Sequence, residues 1–455
     1  MSRINVDEYI SRSSICRYHV GVILLINLCF VADGYDLNVF GAVLPVLTRT
    51  WHISHTEAGL LGSATFFGML IGAMVAGTVS DRIGRKPCLI VGVSLFSLAT
   101  VASAFSPGPA MFALCRVLAG AGIGGLFAVA AALARELAPR RWASSFTIWI
   151  MCGANLGGVV AVLVARQIVE TAGWRPVVFT SALFLVLIPF LMLWLPESPN
   201  IQVRKGLDRK ALRTLQRIPS ELGPIDPVTD ELYVPETGIA RAPLAQVFTK
   251  SLRVRTILLG LIFACCLIPY YGVQTWLPSL LVASGRSLTS SLTMTVCLLM
   301  GGLVVNILNG WIVARLGLTR VFVANYVLSV AAIFALGFAS GSFTVAVLAF
   351  IAGGVVVNAS VTENAFAAGA YPTAVRGAGL GWCLGIARIG AMAAPYIGGV
   401  VLDAHIGTFP AYVAYALPGA IAAVAAVAVV INIRRHADAP DVLPHADAPA
   451  ILRAP

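Results

Sequence analysis

Twelve apolar stretches recur along this chain, each long enough to cross a bilayer as a helix. They fall near 19–46, 56–80, 87–105, 110–135, 142–168, 174–195, 254–283, 288–314, 319–339, 343–368, 374–402 and 407–432. A hydrocarbon core of about 30 Å takes roughly 20 helical residues. Within it every backbone N–H and C=O must find a partner inside the protein, so runs of this kind fold as helices. Charged residues occupy only 11% of the 455 positions and hydrophobic ones 58%, whereas soluble domains carry about 25% charged residues. The chain therefore reads as an all-α polytopic membrane protein with twelve transmembrane helices in two six-helix bundles.

A polar stretch at 196–253 separates six spans from six. It holds Pro219, Pro224, Pro227, Pro235 and many charges, and reads as a linker rather than a domain. The expected organisation is an N-terminal segment at 1–18, a first bundle at 19–195, a linker at 196–253, a second bundle at 254–433 and a tail at 434–455. Residues 1–18 carry Arg3, Asp7, Glu8, Arg12 and Arg17, so no cleavable leader is expected there.

The net charge is +11. A basic balance can signal nucleic acid, but the distribution of the charge points to lipid. With the N-terminus inside, 25 of the 31 Lys/Arg fall in loops and tails on one side and four (Arg49, Arg166, Arg175, Arg286) on the other. That bias places both termini and the linker in the cytoplasm of a cell (inner or plasma) membrane, facing anionic lipid. Arg116 and Arg388 remain inside spans. The nine cysteines form no CxxC pair or spaced metal set. They read as small buried hydrophobes, and neither metal nor cofactor is expected.

Gly77, Asp81, Arg82, Gly84, Arg85 and Lys86 follow the second span. Gly310, Arg315 and Gly317 repeat the Gly, Arg and Gly at the same spacing after the eighth, with Ala314 in place of the acid. Repeated halves suit a carrier that rocks about a central site. The first of these loops resembles the signature loop of major facilitator transporters. Arg116-x3-Gly120-x3-Gly124 resembles their span-four motif, and Pro196-Glu197-Ser198-Pro199 the end of their span six, with Asn200 where an Arg is common. Within that superfamily, Asp33-Gly34-Tyr35-Asp36, the run Tyr371–Arg376 and Gly385-Ile-Ala-Arg388-Ile-Gly390 resemble the aromatic acid:H⁺ symporters. The resemblance covers nearly the whole chain. It implies the major facilitator fold, a part for both span-one acids in transport, and a loop at 77–86 that latches one conformation.

Asp33 and Asp36 are three residues apart and share one helix face. An Asp at the bilayer centre costs about 2.5–3.5 kcal/mol on insertion scales, so the pair needs a cavity, a partner or a proton. Proton coupling is the expectation; a fixed salt bridge that pins helices is the alternative. Arg388, midway along span eleven, can grip a carboxylate bidentately, with Gly385 and Gly390 leaving room beside it. An intramembrane ion pair is its other reading. Arg116 is expected to organise the first half by pairing with a span-one acid, with direct substrate contact as the alternative. Arg376 is expected to gate or anchor span eleven. Glu363 in span ten reads either as a second proton site or gate partner, or as a snorkelling, water-exposed acid. Glu136 is a candidate partner for the 77–86 cluster, where Gly77 and Gly84 permit close backbone packing. Plain positive-inside anchoring is the competing account.

An aromatic carboxylate needs a cation, hydrogen-bond donors and flat apolar walls. Tyr35, Trp149, Tyr270, Gln274, Trp276, Asn364 and Trp382 could supply them, and any one of them could equally be packing. Tyr270, Gln274 and Trp276 form the best cluster. The expected function is proton-coupled uptake of a small aromatic monocarboxylate (benzoate-, hydroxybenzoate- or nicotinate-like) by a functional monomer. An exporter of drugs or metabolites, or a carrier of another organic anion, would share the fold. A neutral-sugar carrier would have a denser polar site. A membrane sensor would need an output domain, and an enzyme a nucleophile elbow, metal set or phosphate loop.

Overall fold

The computed structural model describes residues 2–226, 230–235 and 244–437; Pro227 and the tail beyond Ala437 lie outside them. Among the described residues twelve helices are long and apolar enough to cross a bilayer. They are Arg17–Trp51, His55–Ile83, Arg85–Ser103, Pro109–Leu137, Cys152–Ala172, Trp174–Trp194, Arg253–Ala283, Leu288–Leu316, Leu318–Leu336, Ser342–Ala370, Arg376–Asp403 and Phe409–Arg435, called here the first to twelfth spans. The chain is an integral, multi-pass membrane protein. The first span runs past its expected end at 46. There Thr48 and Thr50 donate their hydroxyls to the Leu44 and Val46 carbonyls one turn back, and the helix stops before His52, whose φ is +50°.

The chain forms two compact units. One holds Met1–Leu37, Ala64–Gly158 and Arg175–Gly238; the other holds Asn38–Ser63, Val159–Trp174 and Ile239–Pro455. The division therefore falls once within the polar stretch at 196–253 and also cuts the first, second and fifth spans, with Trp174 parted from the rest of the sixth.

In the first unit, backbone-to-backbone approach through glycine sets the packing. A Cβ on Gly34 would overlap the Ala154 carbonyl, and one on Gly157 the Val31 carbonyl, so the first and fifth spans touch main chain to main chain. The second and fourth spans do the same where Gly120 meets the Thr65 carbonyl and Gly124 the Met69 carbonyl. Lipid gives helices no hydrophobic reason to associate, so small residues that permit this approach supply van der Waals contact instead.

The N-terminal segment and the polar stretch are not loose. Ser2–Asn5 pairs in parallel with Asp230–Tyr233, Ser2 opposite Asp230 and Asn5 opposite Tyr233. Short helices at Val6–Ser11, Pro199–Arg204 and Asp208–Leu215 pack beside it. Val6, Tyr9, Ile10, Ala211, Leu212, Leu215, Ile225 and Leu232 make a small apolar core. Asn5 caps the first of these helices by accepting from the Asp7 and Glu8 amides. Asn200 donates to the Asp7 carboxylate at 2.7 Å. Burial pushes the Tyr9 phenol up, which keeps it protonated as a donor to the Ile218 carbonyl. Reading 196–253 as a linker missed this because eight apolar residues spread over two separate segments have no visible periodicity in either one.

In the second unit the eighth and tenth spans repeat the glycine device. Gly301 lies on the Phe350 carbonyl and Gly353 on the Leu298 carbonyl. Residues 38–63 join this unit the same way: Cβ atoms on Gly41, Gly59 and Gly62 would meet Thr275, Pro395 and again Pro395 at 2.6–2.9 Å. The Ser63 hydroxyl donates to the Met392 carbonyl at 2.6 Å.

Candidate functional site

In the first unit the buried charge centre is built on four spans. Asp36 is 1% exposed and Arg116 2%. Arg116 Nη1 donates to both Asp36 carboxylate oxygens, at 2.9 and 3.0 Å. Thr100 Oγ1 donates to Asp36 Oδ1 at 2.6 Å, and Arg116 Nε donates to Thr65 Oγ1 at 2.9 Å. The glycine approach of the second and fourth spans brings Thr65 to the guanidinium, since Gly120 sits one turn along from Arg116 on the same face. Asp33 is also buried. Tyr35 turns away into packing, its hydroxyl bonded to Thr180 Oγ1 and its ring edge-on to Phe184. Trp149 is exposed and stacks on Phe146.

The 77–86 loop is a second centre in the same unit. Arg85 Nη1 pairs with Asp81 at 2.8 Å and Nη2 with Glu136 at 3.0 Å, and Arg85 Nη1 also reaches Ser80 Oγ at 2.6 Å. Asp81 and Arg82 are exposed. Gly84 has φ +118° and a Cβ there would strike the Glu197 carboxylate, so this position does require glycine. Gly77 does not: a Cβ there would meet nothing within 4 Å. This corrects the expectation that both glycines serve close packing. Glu197 had been given no role. Its Oε1 accepts from the Arg85 amide at 2.8 Å and the Lys86 amide at 3.3 Å, capping the third span from another segment. Glu197→Ala is expected to lower thermal stability by about 0.5–2 kcal/mol. Glu197→Gln, which keeps a carbonyl acceptor, should lose less. Equal losses in a thermal unfolding comparison would rule out the cap.

In the second unit Glu363 is 1% exposed. Tyr326 donates its hydroxyl to Glu363 Oε2 at 2.7 Å, and the Cys266 thiol lies against the same carboxyl. This overturns the snorkelling, water-exposed reading of the residue. Beside it Asn325 donates to Thr362 Oγ1 at 3.1 Å and Asn358 to Asn325 Oδ1 at 3.3 Å. The ninth and tenth spans thus share a polar seam whose ninth-span half the sequence reading missed.

Tyr270 and Gln274 line one small pocket with Pro269, about 20 Å³ in volume, enough for a single water molecule. Trp276 does not join them. It is fully buried and its indole N–H donates to the Pro395 carbonyl at 2.8 Å. Arg388 is half-buried. Gly385 beside it faces open space, whereas Gly390 is packed onto the Ala264 carbonyl of the seventh span. Trp382 is half-buried, with its ring edge-on to Phe248. Asn364 is exposed and bonds back to the Ser360 carbonyl. Arg376 Nε is buried without a hydrogen-bond partner among the described residues. Arg255 donates to the Ala370 carbonyl, closing the end of the tenth span. Burial also pushes the Tyr371 phenol up, and it donates to Thr256 Oγ1 at 3.2 Å.

One further arrangement in the second unit had no sequence expectation. Asp403, the last residue of the eleventh span, accepts from the His55 amide at 2.9 Å and the Thr56 amide at 2.7 Å. His55 Nδ1 lies 2.9 Å from the same carboxylate. Asp403 therefore caps the second span from a distant part of the chain. Asp403→Ala is expected to free that end: a cysteine introduced at Ser54 should react several times faster with maleimide in the variant than in the parent. An unchanged rate would count against the clasp.

Among the described residues no group of His, Cys, Asp and Glu could hold a metal ion. The fold and its buried charge centres define a class, the polytopic helical carriers. The sequence matches the Major Facilitator Superfamily over residues 26–308 and 285–454, and the chain belongs to that family. It is 32% identical over 445 residues to the benzoate transport protein of Acinetobacter baylyi, covering 96% of this chain and 94% of the relative. It is 31% identical over 447 residues to the 4-hydroxybenzoate transporter PcaK of Pseudomonas aeruginosa, covering 96% and 98%. The fold matches the xylose transporter XylE from E. coli with a TM-score of 0.69 at 18% identity, covering 90% of this chain and 97% of the other. The chain is a transporter and not an enzyme.

Proposed function

We propose that this protein takes up a small aromatic monocarboxylate together with a proton, by alternating access. Its two relatives named for benzoate and 4-hydroxybenzoate align over nearly their whole length, which supports the substrate class. The observation that carries the proton half is the Asp36–Arg116 pair, buried within a membrane span and bonded on both carboxylate oxygens. A proton arriving on Asp36 cancels its charge and loosens its hold on Arg116, so protonation changes which helices are tied together. Glu363, buried beside Tyr326, is the second candidate proton carrier. Arg388 is assigned the substrate carboxylate, because it is a half-buried cation with open space at Gly385. The orientation read from the Lys/Arg distribution puts both termini in the cytoplasm of the cell membrane, and the functional unit is a monomer.

The test is uptake of labelled benzoate, 4-hydroxybenzoate and nicotinate in proteoliposomes, with and without an inward proton gradient. Accumulation of one acid that rises with the gradient, and falls at least tenfold in Arg388→Ala, is expected. Uptake that ignores the gradient would overturn the proton coupling alone. No uptake of any aromatic acid by folded protein would overturn the substrate class.

A further inference from the structure

A groove of about 530 Å³ runs between the ninth and twelfth spans, lined by Arg320, Val323, Val327, Leu328, Val430 and Arg434. Its two cations sit at helix ends. Arg320 is the third residue of Leu318–Leu336, and Arg434 is the penultimate residue of the span Phe409–Arg435. Apart from Thr319, the wall behind them is apolar. From Arg320 to Leu328 it follows the ninth span for eight residues, about 12 Å of helix.

Among the described residues no acid answers these arginines. Neither helix contains an Asp or Glu, and among the described residues neither arginine makes an ion pair. Both are exposed, as are Arg315 and Arg435 at neighbouring positions in the chain. The more deeply set Arg85 and Arg116, by contrast, are paired: Arg85 meets Asp81 and Glu136, and Arg116 meets Asp36. Two guanidinium groups beside an apolar trough complement a phosphate diester with an acyl chain attached, since a guanidinium presents paired donors to phosphate oxygens. A zwitterionic headgroup would set its own cation against the arginines. An anionic one would not.

We infer that this groove holds one anionic glycerophospholipid, its phosphate on Arg320 and Arg434 and an acyl chain along Val323, Val327 and Val430. The site is separate from the substrate and proton centres and does not depend on the transport reading.

The test uses the full chain, delipidated in neutral detergent, with bound lipid counted by native mass spectrometry and stability followed by thermal unfolding. Phosphatidylglycerol, phosphatidylcholine and inorganic phosphate are titrated separately. One tightly bound phosphatidylglycerol and a rise in Tm larger than with phosphatidylcholine are expected. The R320Q/R434Q variant should bind phosphatidylglycerol on the order of 30-fold more weakly, at about 1 kcal/mol for each arginine near the lipid surface. Its response to phosphatidylcholine should be unchanged. Arg434→Gln alone alters only the exposed last turn, and keeps the test available if the double variant does not fold. Arg12→Gln, at a position that does not line the groove, should leave binding intact. Equal binding of the two lipids by the parent protein, or undiminished phosphatidylglycerol binding in the variants, would overturn the inference. Stabilisation by inorganic phosphate alone would reassign the arginines to a free anion and overturn it as well.

Discussion

Asp36→Asn is expected to abolish gradient-driven accumulation of substrate, a loss of at least 100-fold, and to destabilise the protein at the same time. Asparagine has the size of the acid and can still accept from Thr100, so shape is not what changes. Charge is. Arg116, 2% exposed and bonded to both Asp36 oxygens, loses the carboxylate that neutralises it directly. Removing one partner of a buried pair costs about 3–5 kcal/mol, whereas removing both is often neutral. The Asp36→Asn/Arg116→Gln double variant should therefore recover most of the lost Tm and none of the uptake. Thermal unfolding and proteoliposome uptake, measured on the same three preparations, separate the two roles. Wild-type accumulation by Asp36→Asn would end the proton assignment. A double variant as unstable as the single would end the account in terms of an uncompensated charge.

Gly124→Leu is expected to prevent recovery of folded, monodisperse protein, while Gly77→Ala should be neutral or stabilising by about 0.5–1 kcal/mol. Both are helical glycines 47 positions apart, yet a Cβ at 124 would overlap the Met69 main chain and one at 77 would meet open space. Backbone cannot move aside as a flexible side chain can, so a side chain at 124 forces the second and fourth spans apart. Overpacking costs about 1–3 kcal/mol even where the surroundings yield. The charge centre should feel a milder change too. Gly120→Ala would displace the Thr65 main chain, and with it the hydroxyl that Arg116 Nε reaches at 2.9 Å. Size-exclusion profiles and Tm values across the set check the ranking. A well-folded Gly124→Leu protein would show that the spans are less tightly apposed.

The twelve spans were legible because length and apolarity alone specify a membrane helix. The Asp36–Arg116 partnership was legible in kind, since a buried arginine beside two span-one acids favours pairing with one of them, though Thr65 and Thr100 were not: a threonine in a helix gives no sign of which neighbour its hydroxyl serves. Glu363 stood out as an acid in an apolar run, but its burial depends on Tyr326, 37 positions away, and no periodicity links them. Tyr270, Gln274 and Trp276 looked alike on a helical wheel. The structure separates them because the tryptophan's single N–H is already spent on Pro395. Glu197 and Asp403 were missed for a common reason. Each caps a helix to which it is not adjacent in sequence, and capping rules read from sequence look only at the residues just before a helix.

The pairing of Ser2–Asn5 with Asp230–Tyr233 has a consequence for how the protein is made. The first strand emerges from the ribosome at once, but its partner lies 228 positions later. At about 5–20 residues per second the wait is roughly 10–45 s. All six preceding spans have been synthesised by then. Ser2–Asn5 therefore acts as a closing tie on the first half. A substitution within Ser2–Asn5 that weakens this pairing acts on that tie.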